Sequence, residues 1–184
     1  MRHPALGVIL ATLAVYVWGT LYWGFSPLPY SAWKQTPDDA AAGRALLEHF
    51  PEEGTYHVPG RQHDPESLTR LYEAGPVALV HLTSREGRPV FDGAAMGKGF
   101  VLVLVSVGLL SLLLRQAAPA LGSYGARVGF VVLAGLVAAV FLDIGDTVWW
   151  FLSVEWQLYR ALYTVSAALV AGLVLAAFPP RAPA

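Results

Sequence analysis

Residues Val128 to Trp150 read VGFVVLAGLVAAVFLDIGDTVWW. Its first fifteen residues, Val128 to Leu142, carry no polar side chain, and two carboxylates, Asp143 and Asp146, appear only as the tryptophans approach. A bilayer core takes ~20 apolar residues as a helix, with ~17–25 the usual range. Val128 to Trp149 meets that requirement, and aromatic rings at one end are what a membrane–water interface selects. Working outward, three further stretches read the same way: Ala5 to Phe25, Phe100 to Leu114 and about Trp156 to Phe178. The second is long enough only if it starts near Met96, where the stem of Lys98 can snorkel to the interface.

Composition agrees. Of 184 residues 55% are hydrophobic and 14% charged, with a mean hydropathy of +0.51, against ~25% charged in soluble domains. The net charge of −1 gives nucleic acid no electrostatic basis for binding. The absence of cysteine removes disulfides, thiolate catalysis, iron–sulfur clusters and cysteine zinc sites. Arginine outnumbers lysine ten to two in an Ala- and Gly-rich chain, which suggests a GC-rich bacterial gene.

The first apolar stretch follows Arg2 and His3, as a signal peptide would. It is longer than the ~7–15 residues of an h-region, and it ends on bulky Trp18, Tyr22 and Trp23 rather than a small-x-small cleavage site. An uncleaved signal anchor is expected. With the N-terminus inside, the inner segments carry Arg2, Arg115, Arg127 and Arg181 and no acid, while all thirteen acids fall on or near the outer side. The positive-inside rule then sets both termini in the cytoplasm of a bacterial inner-membrane protein. Trp18, Tyr22, Trp23, Trp149, Trp150, Phe151 and Trp156 form an aromatic belt at the outer interface.

Between the first two spans, Ser26 to Ala95 hold six Lys/Arg and ten Asp/Glu. That length is too great for a bare connection. Thr36-Pro37-Asp38-Asp39 reads as an N-cap, a proline at N1 and acids in the first turn of a helix running to about Phe50. Asp64-Pro65-Glu66 repeats the start, and Gly75-Pro76 ends that helix. Gly54 to Pro59 and Pro76 to Thr83 read as strands, with a third over Arg88 to Phe91 after the Glu86-Gly87 turn. The predicted class is therefore a mainly α membrane fold: a signal anchor over residues 1–25, a small extracytoplasmic α+β domain over 26–95, and three further transmembrane helices over 96–184. So small a domain is expected to lean on the spans or on a partner.

In the order of these elements, in Gly54-Thr-Tyr-His-Val-Pro59, in Gly75-Pro76 and in the aromatic end of the third span, the chain resembles a family of small bacterial four-span membrane proteins with an outer insert after the first span. The resemblance implies this architecture and brings no activity, cofactor or catalytic residue.

The chemistry concentrates in Asp143, Asp146, Glu155 and Arg160. Asp143 and Asp146 are three residues apart and share a helix face. Ionisable groups at membrane depth are costly, so they point to function by default. Three readings are open: an ion pair from Arg160 to Asp143 or Asp146 that pins the third span to the fourth, simple interfacial placement, or a proton, ion or cationic-headgroup site. No histidine lies within a span, so a bis-histidine haem is excluded. His57 and His81 meet if their strands pair, and with Asp64 or Glu52 they are a weak zinc or copper candidate. No nucleophile, P-loop or H-E-x-x-H motif is present, and Ser84-Arg85-Glu86 is a polar turn. No cofactor is implied. Small residues at helix spacing (Gly125, Gly129, Gly135, Ala139; Ala168, Gly172, Ala176) suit close packing within the bundle or against another protein.

The leading expectation is a non-enzymatic accessory, assembly, lipid- or partner-binding membrane component, with the bilayer and a membrane-protein partner or second copy as its surroundings. The alternative is a small oligomeric transporter or proton-linked carrier using Asp143, Asp146 and Arg160. An enzyme acting on lipid comes third, since no nucleophile or metal set is present.

Overall fold

A computed structural model describes residues 3–178. The chain is mainly helical, with one two-stranded sheet. Among the described residues four helices are long and apolar enough to cross a membrane: Pro4–Phe25, Gly93–Ala120, Tyr124–Trp149 and Val154–Ala176, with mean hydropathies of 1.8, 2.2, 2.4 and 1.7. The second starts ahead of Met96, because Gly93, Ala94 and Ala95 continue the helix outward. The fourth starts ahead of Trp156, because Ser153 caps it by accepting from the Trp156 N–H at 3.4 Å. Ser123 caps the third span in the same way, 3.1 Å from the Ala126 N–H. Two of the four cations used to orient the chain, Arg2 and Arg181, lie outside the described residues.

The fourth span is central and packs against both the first and the third; the second lies mainly on the first. Side chains buried among the spans are mostly small or medium, including Ala11, Val15, Val107, Val131 and Ala171. Large apolar groups point outward, with Phe141 79% and Val140 57% exposed. Glycine permits the tightest approach. A Cβ on Gly135 would overlap that of Ala168, and one on Gly172 would lie 3.2 Å from Val131 Cβ. Gly125 and Gly129 have nothing within 4 Å of such a Cβ, so the G-x-x-x-G pair takes no part in packing among the spans. Polar ties add to this. Tyr22 donates to the Tyr159 carbonyl at 2.8 Å, Trp18 to Ser166 Oγ at 3.0 Å and Tyr124 to the Leu173 carbonyl at 2.8 Å.

Two spans widen into π-helical turns, over Thr20–Phe25 and Ala139–Ile144. Such turns insert an extra residue and are frequent at functional sites. The third span then ends in a tight reversal. Trp150 and Leu152 both donate N–H to the Asp146 carbonyl, at 3.1 and 3.3 Å, and Phe151 takes a positive φ of 54°.

Lys34–Asp92 forms a compact unit of its own. Residues up to Trp33 belong instead with the spans, because the rings of Tyr30 and Trp33 pack on Trp23 and Trp156. Within the smaller unit, Gly54–Val58 (β1) pairs antiparallel with Ala78–Leu82 (β2), Thr55 opposite His81 and His57 opposite Leu79. The strand expected over Arg88 to Phe91 does not form, and Val90 and Phe91 are exposed. The first helix of the unit is Asp39–His49, capped by Asp38 and not by Thr36. Asp38 accepts from the Ala41 N–H at 2.9 Å, while the Thr36 hydroxyl donates to the Asp39 carboxylate. A carboxylate is the stronger acceptor for an orphan helix N–H.

The second helix, Pro65–Ala74, follows the sequence reading. Asp64 accepts from the N–H groups of Glu66 and Ser67 at 3.1 and 3.0 Å, and Gly75 ends the helix at φ 62°, where a Cβ would be strained. The Ser67 N–H, and then its side chain, hold the Asp64 carboxyl below the usual carboxylate range. A depressed value means that the cap stabilises the helix above the unfolded pKa of ~3.9 and that this contribution is lost as pH falls through the folded value. Hydrogen exchange at the Glu66 and Ser67 amides, taken relative to the intrinsic rate at each pH, is expected to speed up on acidification below that range. In Asp64→Ala it is expected to be fast at neutral pH already, and unchanged exchange there would dismiss the cap.

Candidate functional site

The polar cluster lies where the π-helical turn of the third span faces the first turns of the fourth. Asp143 sits in that turn, 4% exposed. Its Oδ1 lies 3.2 Å from Arg160 Nη2, and its Oδ2 accepts from the Thr164 hydroxyl at 2.7 Å. Asp146, one turn further on, accepts at Oδ2 from Arg160 Nη1 at 3.3 Å and from Gln157 Nε2 at 3.5 Å. Arg160 Nη1 also donates to Gln157 Oε1 at 3.0 Å, and Gln157 is fully buried. The guanidinium therefore bridges two carboxylates, and side-chain amide and hydroxyl groups satisfy most of the remaining valences.

Three of the four residues read from the sequence are thus brought together. Glu155 stands apart, exposed in the first turn of the fourth span, where a carboxylate complements the helix dipole. Sequence reasoning missed Gln157 and Thr164. Their spacing with Arg160 is i, i+3, i+7, a single polar face on an apolar helix, and that pattern was available to find them.

Beside the cluster, the outward face of the third span carries a shallow, open apolar groove lined by that span alone. The groove, of about 740 Å³, runs from Leu133 and Val137 to Phe141, with Asp146, Trp149 and Trp150 at its polar end. A second groove of about 460 Å³ lies between Val103, Ser106 and Leu110 of the second span and Gly135, Thr164 and Ala168 of the third and fourth. It exists because the second span leans on the first and leaves the third nearly uncovered.

His57 and His81 share one sheet face but sit diagonally. His81 Nδ1 is 2.9 Å from the Thr55 hydroxyl. His57 stacks on Tyr72, with Nδ1 3.0 Å from the Pro59 carbonyl and Nε2 3.4 Å from the Tyr72 hydroxyl. Asp64 is engaged as a helix cap. Among the described residues no group of three or more His, Asp or Glu side chains is placed to hold a metal ion.

No protein-family model matches the chain, and neither a curated protein nor a solved structure does.

Proposed function

We propose that this is a multi-pass protein of the bacterial inner membrane, with both termini cytoplasmic and the acidic insert outside, that works without catalysis as a lipid- or partner-binding component. The observation that carries the reading is the way the Asp143–Arg160–Asp146 cluster is closed. Both oxygens of Asp143 are engaged, by Arg160 and by Thr164. A carboxylate held so on both oxygens suits a clasp between two spans better than a group that must take up and release a proton. The open edge of the cluster is Asp146, which borders an apolar groove. A shallow apolar groove ending in one polar group suits a ligand with a long apolar part and a polar end.

Native mass spectrometry of the protein, extracted gently from its own membrane, tests this. The expected result is a mass above the 19.8 kDa chain, from retained lipid or a defined partner. A bare chain would overturn the reading. The carrier alternative has its own readout. In proteoliposomes, proton or solute flux that Asp143→Asn abolishes in a folded protein would replace the binding role with transport. No difference between wild type and Asp143→Asn is expected.

A further inference from the structure

We propose that the groove on the third span seats a phospholipid whose headgroup carries a primary ammonium, with that ammonium held by Asp146 beside Trp149 and Trp150. The inference rests on the lipid-binding reading above and names its ligand class.

Charge is the first argument. By formal charge Asp143 and Asp146 bring two negatives and Arg160 one positive, a net −1 at the tryptophan end of the third span. An uncompensated charge on partly buried groups calls for a counter-charge. Asp143 is sealed, its side chain 6% exposed, whereas that of Asp146 is 30% exposed and lines the groove. The bonds to Asp146 from Arg160 and Gln157 converge on Oδ2, which leaves Oδ1 as the free acceptor.

The groove supplies the second argument. Leu133 lies nine residues before Leu142, the last apolar side chain of the wall before Asp146, or ~14 Å along a helix at ~1.5 Å per residue. One leaflet of hydrocarbon is ~15 Å deep, half of the ~30 Å core. The apolar wall thus matches an acyl chain of one leaflet and ends in a carboxylate at headgroup level. Trp149 and Trp150, 77% and 54% exposed, stand at that level. Indole faces attract cations. A primary ammonium, with three N–H donors, also satisfies the free carboxylate oxygen; an anionic headgroup would meet like charge.

The test uses the full-length protein, delipidated in mild detergent and titrated in native mass spectrometry. The three probes are phosphatidylethanolamine, the same lipid N-acetylated at its amine, and phosphatidylglycerol. Phosphatidylethanolamine is expected to bind roughly tenfold more tightly than either other lipid, as for one charge-assisted hydrogen bond. Asp146→Asn should erase that preference, and Val140→Trp, which fills the groove, should weaken all three. Equal binding of the three by the wild type would overturn ammonium recognition while leaving lipid binding in place. Binding of none would overturn both. A preference that survives in folded Asp146→Asn would also overturn the assignment. Should that variant fail to fold, the N-acetylated lipid decides on the wild type alone.

Discussion

Arg160→Ala is expected to lower stability by about 3 kcal/mol, the low end of the ~3–5 kcal/mol lost when one partner of a buried ion pair is removed. The cost comes from what is left behind. Asp143 stays 4% exposed, with Oδ1 deprived of its guanidinium partner, and Asp146 loses its closest donor. The low end applies because the Arg160 side chain is itself 37% exposed, so water and headgroups reach the site in part. Unfolding of the detergent-solubilised protein, by heat or by denaturing detergent, reads the effect. Neutralising the carboxylates as well, with Asp143→Asn and Asp146→Asn, should recover part of the loss, since no buried charge is then orphaned. A coupling energy between Arg160 and Asp143 below ~0.5 kcal/mol in a double-mutant cycle would remove the clasp.

Gly135→Leu is expected to separate the third and fourth spans. Even the first carbon of a side chain there overlaps Ala168 Cβ, and the Thr164 carbonyl lies 3.5 Å away. Overpacking commonly costs ~1–3 kcal/mol. Gly135→Ala belongs in that range, and leucine at the upper end or above it, because neither helix can move without disturbing the Asp143–Arg160 contact nearby. Gly125→Ala and Gly129→Ala are the controls. Open space surrounds both positions, and each change should stay within ~0.5 kcal/mol. A Gly135→Leu variant as stable as the wild type would mean that the spans are not packed as described.

The spans were legible because bilayer thickness imposes a length and composition that local sequence cannot hide; Val128 to Trp149 is almost the helix found at Tyr124–Trp149. The caps at Asp64 and Gly75 were legible for the same local reason. Thr36 misled because two candidate acceptors lay within three residues, and only the geometry shows that Asp38 reaches an orphan N–H. The strand expected at Arg88 to Phe91 does not form, although the two-stranded sheet has open edges; Pro89 has no N–H to give a ladder, and Val90 and Phe91 stay exposed. In the site, Asp143, Asp146 and Arg160 stood out as charges in apolar surroundings. Gln157 and Thr164 carry no charge and were passed over, although they complete the network. The π-helical turns left no mark in composition at all.

The outward placement of the large side chains also bears on how this chain can vary. In a water-soluble protein leucine and phenylalanine are the fixed points and surface alanines drift. Here Leu13, Phe25 and Leu158 face away from the other helices, and a bilayer asks of them only that they be oily. Alanines and glycines such as Ala11, Gly135, Ala168 and Gly172 instead set the distances between backbones. Tolerance to substitution should therefore run backwards along the spans, with the bulky positions interchangeable and the smallest ones irreplaceable.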